Sequence, residues 1–331
     1  MAKPPKTADC RVLPYPIVYI PTNFIHIIRQ LGRSVCRMSE WVRYKYATVQ
    51  GLSVFYREAG SPSNPALVLL HGFPSSSHMF RELIPLLADR FYLIAPDYPG
   101  FGYSNMPSIT EFSYTFEQFS LIIEQLLDQL SIPQFILYCH DYGGPVGFRL
   151  AVRHPHRVRS FIIQNSVVNF EGLGTPFDLF KALWEHPDAR TQQEFAATVT
   201  SFDFTKKQYF TGACYPERVS PDGPYMDQMF LNRPGNQEIQ VALGYDYRKN
   251  VEQYPIWQQY LRTYQPPVLV VWGRNDFVFT LKGALFFERE LRCVATHLLC
   301  GGHFVLEEAS YIAAMLIKNF FDTTGTNAFA L

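Results

Sequence analysis

The chain has 331 residues, with 29 basic and 29 acidic side chains and therefore no net charge. That balance leaves no electrostatic footprint for nucleic acid. Apolar residues at 47 % supply a sizeable core, and aromatics at 16 % leave material for an aromatic-lined pocket.

The length exceeds the roughly 100–200 residues of an average domain, so it fits one large α/β domain with an insertion, or two domains. Residues 1–45 read as an N-terminal extension. The apolar run Leu13 to Pro21 is interrupted by Pro14, Pro16 and Pro21, which makes it too short and too broken for a membrane span. Residues 23–38 have helical spacing, with Phe24, Ile27, Ile28, Leu31 and Val35 on one face. The extension is expected to pack on the body of the protein, with association to a membrane surface as the alternative. The six cysteines, Cys10, Cys36, Cys139, Cys214, Cys293 and Cys300, are scattered without a Cys-x-x-Cys pair. They read as neither a disulfide framework nor a zinc site, and so as a protein of a reducing, cytoplasmic compartment.

Regular patterning starts at Tyr46. Tyr46–Gln50 and Ser53–Glu58 flank Gly51 as a strand pair, and Ala66–Leu70 and Phe91–Ala95 are short continuous apolar runs typical of buried strands. Phe116, Phe119, Ile123, Leu126, Leu127 and Leu130 recur at helical spacing up to Pro133. Phe135–Cys139 is the next strand, Tyr142–His154 a helix and Phe161–Gln164 a strand. Residues 169–255 then carry no buried-strand run. Alternation resumes with Val268–Trp272, a helix at 281–291, the strand Thr296–Leu299 and a helix at 306–320. This layout predicts a mostly parallel, doubly wound α/β sheet, with a core of 46–168 and 256–323 and a helical cap at 169–255 over the carboxyl ends of the strands.

Chemistry concentrates at the strand ends. Phe135 to Gly144 runs from a buried strand through Cys139-His140-Asp141-Tyr142-Gly143 into a helix, the geometry of a nucleophile elbow. The sharp turn needs small residues two before and two after the nucleophile, and Cys139 and Gly143 fill those places. The nucleophile position holds Asp141, a carboxylate that can attack an electrophilic carbon without prior deprotonation. An Asp here could equally cap the helix that follows; the other motifs decide between the two. After strand 66–70 comes His71-Gly72-Phe73-Pro74, whose Phe73 N–H, with that of Tyr142, would form an oxyanion hole. Phe73–Pro74 is a candidate cis bond. Asp276 follows strand 268–272, and His303 follows strand 296–299. The order nucleophile, acid, histidine suits a triad in which Asp276 orients His303, and His303 drives water onto an ester at Asp141.

Together with Asp97-Tyr98-Pro99-Gly100-Phe101-Gly102, these motifs resemble the epoxide hydrolase and haloalkane dehalogenase branch of the α/β-hydrolase superfamily over about residues 46–323. The resemblance implies an α/β-hydrolase fold and an Asp nucleophile. Haloalkane dehalogenases carry Trp after the nucleophile and Asn after the His-Gly, both donors to the leaving halide. Tyr142 and Phe73 stand there instead, and His-Gly-Phe-Pro is the form similar to epoxide hydrolases. Those enzymes hydrogen-bond the epoxide oxygen from two cap tyrosines. Gly244-Tyr245-Asp246-Tyr247-Arg248-Lys249-Asn250 resembles the family's Tyr-Arg-Asn segment with one residue inserted, which points to Tyr247, with Tyr245 second. Tyr209 is the first candidate for the other, and Tyr215 the next. The expected activity is epoxide hydrolysis on a hydrophobic small molecule, without metal or cofactor. Dehalogenation, a hydrolase-fold isomerase or cyclase, and a non-catalytic binding protein are the alternatives.

Overall fold

The computed structural model describes residues 41–324. Eight strands form one sheet: β1 Arg43–Val49, β2 Leu52–Ala59, β3 Ala66–Leu70, β4 Tyr92–Pro96, β5 Phe135–His140, β6 Val158–Gln164, β7 Val268–Gly273 and β8 Val294–Leu299. Their order is β1-β2-β4-β3-β5-β6-β7-β8, with β1–β2 and β2–β4 antiparallel and the remaining pairs parallel. This is the expected α/β-hydrolase architecture.

The continuous apolar runs are explained by the sheet's two covered faces. Side chains alternate between faces along a strand. Val68, Leu70, Leu137, Val268 and Val270 join one core cluster, while Leu67, Leu69, Ile136, Leu269 and Val271 join the other. At ~25 cal/mol per Å² of apolar area removed from water, each such buried Leu, Ile or Val contributes about 1.5–3 kcal/mol. β8 is only half-buried, as suits an outer strand.

Helices α1 Leu83–Leu87, α2 Phe116–Gln129 and α3 Gly143–Arg153 connect β3 to β4, β4 to β5 and β5 to β6 in turn. α2 begins where the Thr115 side chain accepts from the Gln118 N–H at 3.1 Å, satisfying one unpaired donor of its first turn. Between β6 and β7 come six more helices: α4 Phe177–Glu185, α5 Ala189–Val199, α6 Phe202–Phe210, α7 Asp222–Leu231, α8 Asn236–Asp246 and α9 Arg248–Tyr264. α10 Leu281–Glu290 and α11 Leu306–Thr323 complete the sheet's cover.

Three strands start two or more residues before the expectation. β1 starts at Arg43, because pairing Arg43 with Glu58 across the ladder extends an otherwise exposed polar stretch. β6 starts at Val158, three residues early, where Arg159 and Ser160 had diluted the apolar signal. β8 likewise starts two residues early, at Val294. The expected end of the inserted segment, residue 255, falls inside α9. Pro255 removes one backbone donor, a cost of about 3 kcal/mol in a helix interior; burial of Tyr254, Trp257, Tyr260 and Leu261 along one face carries the helix through it.

One expectation is overturned. Cys214 and Cys300 form a disulfide, with Cα atoms 5.8 Å apart across 86 residues of sequence. Spacing along the chain could not show it, because the fold alone closes that distance. Cys139 is a buried free thiol and Cys293 an exposed one. No described helix is long and apolar enough to cross a membrane. The expected helix at 23–38 and the packing of the extension up to residue 40 lie outside the described residues.

Candidate active site

β5 delivers Asp141 to the carboxyl edge of the sheet on a left-handed residue, φ 46°. Such a conformation costs a non-glycine residue on the order of 1–3 kcal/mol and persists only where its surroundings hold it. Here they do. A Cβ on Gly143 would lie 2.2 Å from the Leu70 carbonyl oxygen, and one on Gly72 would lie 2.3 Å from the Asp141 Cβ. The elbow and the loop after β3 therefore approach at backbone distance, which only glycine permits. Asp141 N–H donates to the Asn165 carbonyl at 3.2 Å, and Ser166 Oγ donates to the Asp141 carbonyl at 2.9 Å, so the end of β6 pins the turn from the other side.

The carboxylate is only 4 % exposed. Phe73 N–H donates to Asp141 Oδ2 at 2.6 Å, and Phe73–Pro74 is cis, as anticipated. Burial pushes the Asp141 carboxyl up to about 6, against the charge of His303 and the N–H groups of Phe73 and Tyr142, which favour its ionised form. One carboxylate oxygen, Oδ2, is thus already held by the Phe73 N–H, one of the two donors expected to form the oxyanion hole.

His303 and Asp276 are buried together. Nδ1–H of His303 donates to Asp276 Oδ2 at 2.9 Å, which leaves the Nε2 lone pair as the basic end of the ring. That Nε2 is buried and, among the described residues, hydrogen-bonded to no protein atom. Burial works against the charged imidazole, but Asp276 and Asp141 outweigh it, and the pKa of His303 stands above its ordinary value. Asp276 is in turn fixed by the Val278 N–H at 2.7 Å and by Asn165 Nδ2 at 2.8 Å.

Asn165 was not anticipated. Its backbone carbonyl takes the Asp141 N–H, while its side-chain Oδ1 takes the Gly273 N–H at 2.9 Å and its Nδ2 donates to Asp276, so one residue spans the nucleophile and acid loops. Its sequence signal is faint: a polar Gln-Asn-Ser directly after an apolar strand. His140 also sits under the base, its Nε2–H donating to the His303 carbonyl at 3.2 Å. Burial keeps its pKa well below the ordinary value, so it stays neutral.

Tyr247 is the sequence-predicted tyrosine that the structure brings to this centre. It is 1 % exposed, its ring lies 6.0 Å from Tyr142, and Asp141 is close enough to raise its hydroxyl pKa, although burial is the larger cause. Phe116, Phe177, Phe180 and Trp184 surround it at 5.0–6.4 Å between ring centroids. Tyr254, one α9 face further on, has a buried hydroxyl near Tyr247, without a well-aligned hydrogen bond between them.

The other nominated tyrosines stand elsewhere. Tyr209 donates to Asp227 Oδ2 at 2.6 Å and stacks on Phe304 with centroids 4.0 Å apart, in the core cluster that does not contain Tyr247. A buried carboxyl, itself pushed up to about 7 by burial, claims its hydroxyl. Tyr245 lines an outer groove of α5 and α8 beneath the Arg248 guanidinium, which lies 3.7 Å from the ring centroid. Tyr215 is exposed. Among the described residues, no group of three or more His, Cys, Asp or Glu could hold a metal ion.

The comparisons with known proteins bear on the fold and the family. The profile of the alpha/beta hydrolase fold matches residues 65–310. The chain is 39 % identical over 286 residues to an uncharacterized hydrolase of Saccharomyces cerevisiae, YNR064C, covering 83 % of this chain and 97 % of that one. It is 36 % identical over 277 residues to a haloalkane dehalogenase of Psychrobacter cryohalolentis, covering 81 % and 87 %. The solved structure of the epoxide hydrolase CorEH superposes with a TM-score of 0.69 over 86 % of this chain and 100 % of that one; at 21 % identity the likeness is one of fold.

Proposed function

The chain belongs to the alpha/beta hydrolase fold family, and from that premise we propose that it hydrolyses a hydrophobic epoxide through a covalent ester on Asp141. The observation that carries this reading is the division of the Asp141 carboxylate: Oδ2 is held by the Phe73 N–H at 2.6 Å, which leaves the other oxygen to attack. The other oxygen attacks the less hindered epoxide carbon, the C–O bond breaks, and the Tyr247 hydroxyl gives its proton to the departing alkoxide. His303 Nε2 then takes a proton from water, which adds to the ester carbonyl. The negative charge falls on the oxygen already facing Phe73 and Tyr142, where each donor is worth about 3 kcal/mol. Collapse releases a diol and restores Asp141, and the proton held by His303 passes back to the Tyr247 phenolate, so the enzyme ends as it began. Asp276 holds the tautomer and offsets the imidazolium charge. The aromatic surround of Tyr247, in the helical segment proposed as a cap, favours an apolar substrate.

One observation supports dehalogenation as a second reading: the 36 % identity to a haloalkane dehalogenase. Against it, Phe73 and Tyr142 offer a leaving halide no side-chain N–H. The test is a panel of epoxides, haloalkanes and esters with the wild type and Asp141→Ala. Diol formation by the wild type alone, with both proteins equally folded, is expected. Undiminished turnover by Asp141→Ala contradicts the proposal, and halide release without diol formation selects the second reading.

A further inference from the structure

The disulfide lies beside the proposed machinery and is not used by it. Cys214 follows α6, and Cys300 follows β8, three residues before His303. The chain around Cys214 is wedged against both loops that carry the acid and the base. Asn275, the neighbour of Asp276, donates from Nδ2 to the Gly212 carbonyl at 2.9 Å and approaches Cys214 Sγ at 3.6 Å. A Cβ on Gly212 would lie 2.5 Å from the Asn275 carbonyl oxygen, and one on Gly302 would lie 2.1 Å from that of Thr211. The Asn275 N–H donates to the Gly301 carbonyl at 3.0 Å, closing the contact between the two loops. On the far side, Glu308 accepts from the N–H groups of Cys214 at 2.8 Å and Tyr215 at 2.5 Å. Segment 211–215 therefore touches the acid loop, the base loop and the start of α11 at backbone distance.

We propose that Cys214 and Cys300 are positioning residues, whose disulfide clamps segment 211–215 onto the loops bearing Asp276 and His303, and that its reduction by a dithiol slows the reaction at Asp141. A covalent tie here acts on geometry that must be held within about half an ångström to work. It is also reachable: Cys300 is exposed and Cys214 half-buried. A dithiol's thiolate attacks Cys300 Sγ and the Cys214 thiolate leaves. The second thiol of the reagent then displaces Cys300 and closes its own disulfide. Two electrons and two protons pass from the dithiol to the pair. The inference rests on the proposed roles of Asp276 and His303, but the clamp can be read without any substrate.

The test uses the full chain, oxidised, reduced with dithiothreitol, and as the Cys214→Ser/Cys300→Ser variant, with thiol alkylation and intact mass to establish the state of the pair. Hydrogen exchange is followed at 211–215, 273–278 and 300–305. The reaction is followed with whichever panel compound esterifies Asp141. Reduction is expected to speed exchange in all three segments and to lower kcat about tenfold with KM nearly unchanged. It is also expected to move the acid limb of the profile to lower pH, since a loosened Asp276 holds the His303 pKa up less. Reoxidation restores the wild type but not the variant. Both cysteines alkylated before any reductant, or identical exchange and kcat in the verified oxidised and reduced forms, overturns the proposal. If instead no compound esterifies Asp141 while exchange still responds to reduction, the clamp stands and the assigned chemistry fails.

Discussion

At the scale of single residues, Asp141 carries opposed demands. Burial raises its pKa to about 6, so the folded protein keeps a proton that the unfolded chain has already lost near pH 4. Between those values the unfolded state releases more protons, and stability falls as pH rises. Asp141→Asn removes that penalty and is expected to raise stability at pH 8 by on the order of 2 kcal/mol, with little gain at pH 3, read from urea unfolding at the two pH values. Equal effects at both would show that burial does not destabilise the charge. The same pKa predicts that ester formation is lost as pH falls through about 6, because only the carboxylate attacks. His303 is held up by Asp276 and Asp141, and esterification removes the second of these charges. Its pKa then falls, which makes the imidazole a free base when water must be activated. Asp141, Asp276 and His303 were legible in the sequence because each follows a recognisable strand. Asn165 was not: its role lies in three contacts made only when β5, β6 and β7 align. Asn165→Ala is expected to cost about 1–3 kcal/mol of stability, by leaving the buried Gly273 N–H unpaired, and to lower kcat more than it raises KM. An unchanged kcat would contradict its place between the two loops.

At the scale of elements, strand followed by elbow and helix is decided by steric room. The small residues expected around Asp141 are required by the Leu70 carbonyl pressing on Gly143 and by Cys139 Sγ, which a Cβ on Gly147 would approach to 2.6 Å. Gly143→Ala is expected to open the elbow and reduce turnover by at least 100-fold, with a clear loss in melting temperature; a fully active variant would show the turn to be less crowded. The β-strands were readable because both faces are buried and the runs are continuous. The inserted helices were legible only as an absence of strands. α9 runs through residue 255 because Pro255, a helix breaker by local rule, is overridden by a packed face from Tyr254 to Leu261. Tyr209 shows the limit of nominating a residue by type, since nothing in its neighbourhood announced the Asp227 carboxyl on another helix.

At the scale of the whole molecule, the sheet sets out the site and the long β6–β7 connection supplies its aromatic surround. Tyr247 comes from that connection, so its hydroxyl tests whether the two parts act together. Tyr247→Phe keeps the ring among Phe116, Phe177 and Phe180 and removes only the acid. It is expected to slow epoxide opening by about 10²- to 10⁴-fold, the span of general acid catalysis, while leaving any haloalkane displacement unaffected, because a halide needs no proton. Equal slowing of both reactions would reduce Tyr247 to packing. The Cys214–Cys300 disulfide, invisible in the spacing, also removes the argument from unpaired cysteines for a reducing compartment.

The central claim is that catalysis passes through an ester on Asp141 that His303 resolves. His303→Gln, incubated with the epoxide and haloalkane panel and read by intact mass and peptide mapping, tests it most directly. The account predicts that the base-less variant traps the intermediate, with a mass increase equal to one whole epoxide located on Asp141. A variant that turns the same compound over with no adduct at any time point would contradict it.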